Sequence, residues 1–243
     1  MFYSTKNINN ISSLFDDVGL NVSACSSSTA LIKINLARIP VKNHPRSSVK
    51  LIKEVVLYLK AQGVSCTLAE AADGYLRDNL EKVGLSEFID DNEVGIIDLD
   101  LEEVVEIVVG DEIHYYPKCL CDYDLRIAIP ATSKRPNCIF SNNVKLFVGI
   151  VPRKYYQMGE PVRHRIKIHL DLHKSLSNIY KGLMEYAPFH YYINGGLAMK
   201  EGYGEFQLPI IYIGNNAVEL DKHVLLEHFN IEIPEYLLKI SHD

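Results

Sequence analysis

Three kinds of residue offer chemistry in this chain of 243 residues: a lysine inside a strand pattern, an aspartate beside an apolar helix stripe, and a dense group of glycines. In the run TALIKINL, Thr29 to Leu36, alternation puts Ile32, Ile34 and Leu36 on one face and Lys33 and Asn35 on the other. Central parallel strands are usually apolar on both faces, so this face either opens to solvent or aims Lys33 into a polar pocket. A lysine there can anchor a carboxylate or phosphate, or act as a base once desolvation lowers its pKa. Asp221 has Ala217, Val224 and Leu225 as its helical neighbours. That places it either at the stripe edge or, buried, as a carboxylate with a perturbed pKa. The stretch YYINGGLAMKEGYGEF holds Gly195, Gly196, Gly202 and Gly204 just after Asn194. Such a loop at a strand end can cradle an anion with backbone amides or serve only as a tight turn.

Two further groups invite metal chemistry. His164, His169 and His173 form the one histidine cluster; if helical, His169 and His173 lie one turn apart and can share a metal. They equally suit a basic surface helix, from which His169 can serve as general acid or base. Cys119 and Cys121, with Cys138, can contribute to an iron–sulfur site, yet ferredoxin-like spacing is missing and small buried hydrophobes fit them better. We assign no metal ligand from the sequence, and it names no cofactor.

The elements that must position these residues alternate between strand and helix. Ile11 to Val18 reads as a helix stopped at Gly19, and Ser48 to Gln62 as an amphipathic helix ended by Gly63. Val64 to Glu70 is the next strand, which completes a strand–helix–strand unit. Gly74 to Val83 reads as helix, and Val94 to Asp98, Val104 to Val109, Ile113 to Tyr116 and Leu125 to Ile129 as strands. Ala131 to Asn143 reads as loop, Val144 to Val151 as strand or helix, and His164 to Tyr186 as mostly helix. A strand over Phe189 to Ile193 enters the glycine loop; the strand Pro209 to Ile213 and the helix Asn216 to Phe229 follow. The expected fold is α/β, a mixed, largely parallel sheet with helices on both faces, in a single domain over 1–243.

Composition narrows the function classes. A net charge of −6 argues against nucleic acid as partner, and no apolar run has membrane-spanning length. The N-terminus lacks a signal-peptide pattern and the five cysteines are odd in number, so a reducing cytoplasm is the expected location. Bases dominate from Arg126 to Lys181, with Glu160 and Asp171 the only acids, and that stretch can attract a small anion.

Several of these pieces together resemble domain-of-unknown-function family 362, over roughly Ala30 to Leu237. Lys33-Ile34-Asn35-Leu36 is similar to the family's early Lys-Pro-Asn-Leu, and Leu59-Lys60-Ala61-Gln62-Gly63 to its leucine-lysine-x-x-Gly helix end. Ala128-Ile129-Pro130 looks like the proline strand, with Lys134 soon after; Lys145 to Gly149 resembles Lys-Asn-x-x-Gly, with Leu146 in place of Asn. Asn194-Gly195 … Gly202-Tyr203-Gly204 resembles the late glycine loop, and Asp221 matches the last aspartate of the final helix. The departures are a missing Lys-Thr-His after the proline strand, Asn194 for the loop aspartate, and Glu205 where proline is common. Some members carry a ferredoxin-type module; these 243 residues contain none.

The resulting expectation is an enzyme acting on a small anionic metabolite, a carboxylate or phosphate, by proton or group transfer. Lys33, Asp221 and His169 are its catalytic candidates. Asn35, Lys134, Lys145, Asn194 and the four glycines are its binding candidates. The alternatives are an iron–sulfur or metal-linked redox protein, or a non-catalytic binding or accessory protein. A homo-oligomer stays open as a partner.

Overall fold

The computed structural model describes residues 2–6, 11–19, 28–36, 46–135, 139–158, 165–199 and 205–241. The chain enters through β1 (Phe2–Thr5) and α1 (Ile11–Asp17), with Gly19 at φ 75° just beyond the helix. β2 (Thr29–Ile34) is buried from Ala30 onward. Ser48 then caps α2 (Val49–Ala61) by accepting the Leu51 N–H, and Leu51, Ile52, Val55, Val56 and Leu59 form its buried stripe. Gly63, at φ 79°, turns the chain into β3 (Ser65–Glu70). Two short helices, α3 (Leu76–Lys82) and α4 (Ser86–Asp91), lead to β4 (Gly95–Asp98). β5 (Val104–Val109) and β6 (Glu112–Pro117) form a separate two-stranded antiparallel sheet.

After a 3-10 turn over Lys118–Asp122 comes β7 (Leu125–Ile129). The stretch read as loop after it holds two short strands, β8 (Ser133–Arg135) and β9 (Ile139–Ser141), antiparallel to each other. The ambiguous apolar run that follows is helical: α5 (Asn143–Leu146), then a 3-10 turn over Phe147–Gly149. The expected long helix is two, α6 (Ile166–Leu170) and α7 (Leu172–Tyr186), because Asp171 leaves helical geometry at φ −138°, ψ 85° to cap α7 through Lys174 N–H. β10 (Tyr191–Met199) and β11 (Glu205–Gly214) pair antiparallel, so the glycine-rich stretch is strand well past Ile193. Asn216 caps α8 (Ala217–His228) through the Val218 and Glu219 N–H groups, and α9 (Glu235–Ser241) follows.

The main sheet runs β1-β11-β10-β7-β2-β3-β4, parallel from β10 to β4 and antiparallel at the β11 and β1 edge. Its two faces carry separate cores. Ala30, Ile32 and Ile34 of β2 face the side of α1 to α4, whereas Leu31 faces that of α5, α7, α8 and α9. The fold is therefore α/β with helices on both faces. Strands β2, β3 and β4 step outward one way, and the chain then returns to lay β7 on the other side of β2. This reversal makes the carboxyl ends of β2 and β7 a topological switch point, where such sheets place ligands. Among the described residues no helix is long and apolar enough to cross a membrane.

Candidate functional site

Lys33 lies on the α5–α8 face of β2, opposite Ala128 of β7, and is 0 % exposed. It does not reach solvent. Its ammonium donates to Glu70 Oε1 at 2.9 Å and to the Ile34 carbonyl at 2.7 Å. Glu70 in turn accepts the Ala71 N–H on Oε1 and the Leu36 N–H on Oε2. Burial lowers the Lys33 pKa, and the Glu70 carboxylate opposes that fall. Beside this pair, Asp100 accepts the Asp73 and Arg153 backbone N–H groups and sits 3.4 Å from the guanidinium groups of Arg153 and Arg165. Burial pushes Arg165 down to about 10, against the pull of Asp100. The ends of β3 and β4 are thus closed by carboxylates already matched to N–H donors and guanidiniums. Asn35, half-buried at the end of β2, is held through its backbone: Ser47 Oγ accepts its N–H at 2.7 Å and donates to the Ile129 carbonyl of β7.

A second polar group forms one strand over. Asp221, 0 % exposed on α8, accepts three N–H groups from two residues. Oδ1 takes the Asn143 backbone N–H at 3.0 Å and the Asn143 side-chain amide at 2.8 Å, and Oδ2 takes the Val144 N–H at 3.0 Å. Burial pushes its pKa up to about 7, against these donors and a weaker side-chain hydrogen bond from Asn142. Asn143 Nδ2 also donates to Asn194 Oδ1 at 2.9 Å, and Thr132 Oγ1 to Asn142 Oδ1 at 2.8 Å. Asn143 Oδ1 and Asn194 Nδ2 remain buried without a partner among the described residues. Each such orphan costs about 1–3 kcal/mol, so two on bonded neighbours mark a position where folding stability is given up.

One segment joins the two groups. Its start, Asn142 to Val144, is gripped by Asp221 and Asn194, and its end, Gly149, abuts the lysine pair. A Cβ built on Gly149 would lie 3.0 Å from both Lys33 Nζ and Glu70 Oε1. Lys145 is half-buried on this segment. Lys134 is on β8, opposite Phe140 of β9. Gly195 stands at the bulge between Asn194 and Gly196, at φ 148°, where a Cβ would come 2.9 Å from Ile211 Cγ1 and 3.1 Å from Ile211 Cα. Gly196 continues β10 opposite Leu208. Gly202, Gly204, His164 and Cys138 lie outside the described residues.

His169 is exposed on α6, and the bonds that hold Lys33 and Asp221 do not include it. The condition for His169 and His173 to sit one turn apart fails, since Asp171 separates their helices. Cys119 and Cys121 are in a 3-10 turn, Cys119 half-buried and Cys121 exposed rather than a buried hydrophobe, and burial pushes Cys119 up to about 12. Among the described residues no group of three or more His, Cys, Asp or Glu is arranged to hold a metal. Sequence reasoning missed Glu70, Asn142 and Asn143. An acid ending a buried strand and an Asn-Asn pair before an apolar run were the signals available.

A family model described as Domain of unknown function (DUF362) matches residues 30–225, and the chain belongs to that family. The match stops short of the Leu237 that the motifs had suggested. No curated protein matches the chain.

Proposed function

We propose that this member of the DUF362 family is an enzyme acting on a small anionic metabolite, a carboxylate or phosphate, by proton or group transfer. The carrying observation is Asp221: fully buried, near the carboxyl ends of parallel strands, with a pKa about 7. An aspartate at its ordinary value of about 3.9 holds almost no proton at neutral pH, whereas one near 7 both takes and gives it. In this reading Asp221 handles the proton. Lys33, its charge matched by Glu70, offers its remaining N–H to the substrate as a hydrogen-bond donor rather than a counter-ion. The half-buried Lys145 supplies positive charge on the segment between them.

The test is a thermal-shift screen of small carboxylates and phosphates, followed by turnover assays on whichever compound stabilises the chain. Asp221→Asn should retain binding and lose turnover. Lys33→Ala should weaken binding while the far-ultraviolet spectrum is kept. Unchanged turnover in both variants would sink the assignment.

A further inference from the structure

Asp221 is bonded by donors alone. Its oxygens take the Asn143 and Val144 backbone N–H groups, the Asn143 amide and a weaker bond from Asn142. A carboxylate suits that set, but a protonated carboxyl also needs an acceptor for its own hydrogen. The residue that donates can supply it. Asn143 Nδ2 bonds Asp221 Oδ1 at 2.8 Å and Asn194 Oδ1 at 2.9 Å, while Asn143 Oδ1 and Asn194 Nδ2 are buried and unused among the described residues. Half a turn of the Asn143 amide exchanges its oxygen and nitrogen with little change in shape. Its oxygen then faces Asp221 Oδ1 and receives the carboxyl hydrogen. The same half-turn sets two oxygens together at Asn194, and a matching half-turn there presents the Asn194 NH2 instead. The backbone N–H groups of Asn143 and Val144 stay in place.

On the reading of Asp221 given above, we propose that Asn143 and Asn194 are positioning residues that turn together when Asp221 takes up its proton. With the carboxylate, Asn143 gives two hydrogen bonds from its NH2; with the acid, its oxygen accepts two, from Asp221 and from Asn194. The two states have equal numbers of hydrogen bonds within the trio. Each atom left idle in one state is bonded in the other, which accounts for a pair of orphans that folding alone would select against. Asn142 keeps its sense, since Thr132 Oγ1 donates to its oxygen. Tyr180 of α7 and Tyr192 of β10 feel the charge of Asp221; burial raises both phenols, Tyr180 to about 12, so both are neutral where Asp221 changes. Charged groups on the other packed elements have partners of their own: Glu235 with Lys239 on α9 at 2.9 Å, and His228 with Tyr212 of β11 at 2.9 Å. The half-buried Lys145 of α5 favours the carboxylate by its charge.

The experiment is a titration of the unmodified full chain, labelled with 13C and 15N, between pH 5 and pH 9. The Asp221 carboxyl carbon reports the proton. The side-chain amide signals of Asn143 and Asn194, assigned through bonds to their backbones, report the turn. On acidification the Asn143 NH2 protons should move upfield as they lose both acceptors, and the Asn194 NH2 protons downfield as they gain one. Both shifts should share the midpoint of the carboxyl. An Asn143 fixed in its present sense would also move upfield as its acceptor loses charge, so the Asn194 signal decides. Asn194 protons that stay still or move upfield while the carboxyl titrates overturn the paired turn and leave Asp221 as the proton carrier. A carboxyl that keeps one form throughout overturns the paired turn and the reading of Asp221 together.

Discussion

Asp221 carries its own stability signature. Its folded pKa about 7 lies above the unfolded value, so the native state holds the proton that the unfolded chain has released. The group's stabilising contribution is therefore complete below about pH 4 and is lost as pH rises to about 7, a change of about 4 kcal/mol at most. Urea midpoints between pH 5 and pH 8 should fall more in the parent chain than in Asp221→Asn. That variant also turns an NH2 toward the Val144 N–H, so it starts from a lower stability at pH 5. At Lys33, substitution by Met should cost about 3–5 kcal/mol, because Glu70 is left buried without its cation. Adding Glu70→Gln should recover part of that loss in chemical denaturation. A double variant no better than Lys33→Met alone would show that the pair does not act as a unit.

Two glycines test how the elements are fitted together. Gly149→Ala places a methyl 3.0 Å from both members of the lysine pair, and should shift the Lys33–Glu70 contact and lower the melting temperature. Gly195→Ala meets Ile211 and a φ of 148°, at a cost of about 1–3 kcal/mol. Either variant melting like the parent would contradict the packing described. What could be read beforehand follows from the range of the forces involved. Ser48 with the stripe Leu51 to Leu59, and Asn216 before α8, are local signals and placed their helices to within a residue or two. Lys33 and Asp221 stood out because each puts a charge into an apolar pattern. Their partners did not, since Asn143 meets Asp221 across 78 positions and Glu70 meets Lys33 across 37. The strand character of 194–199 was hidden for the same reason: its pairing with β11 is what holds glycines extended.

The two faces of the main sheet share every central strand, and this ties their stabilities together. Leu31→Ala empties one core and Ile32→Ala the other, and each should cost about 2–5 kcal/mol. Both should lower one common transition, with tyrosine fluorescence and far-ultraviolet dichroism coincident; separated transitions would mean that the faces unfold independently. The Asn142–Gly149 segment adds an order of events to this picture. It leans at one end on a lysine from the first strands and at the other on an aspartate from a helix made much later. During synthesis the early strands can pair while that helix is still unmade, and Asn143 then has only Asn194 to meet. The full grip on Asn143 and Val144 thus waits for α8, and the segment is held at both ends only once that helix docks.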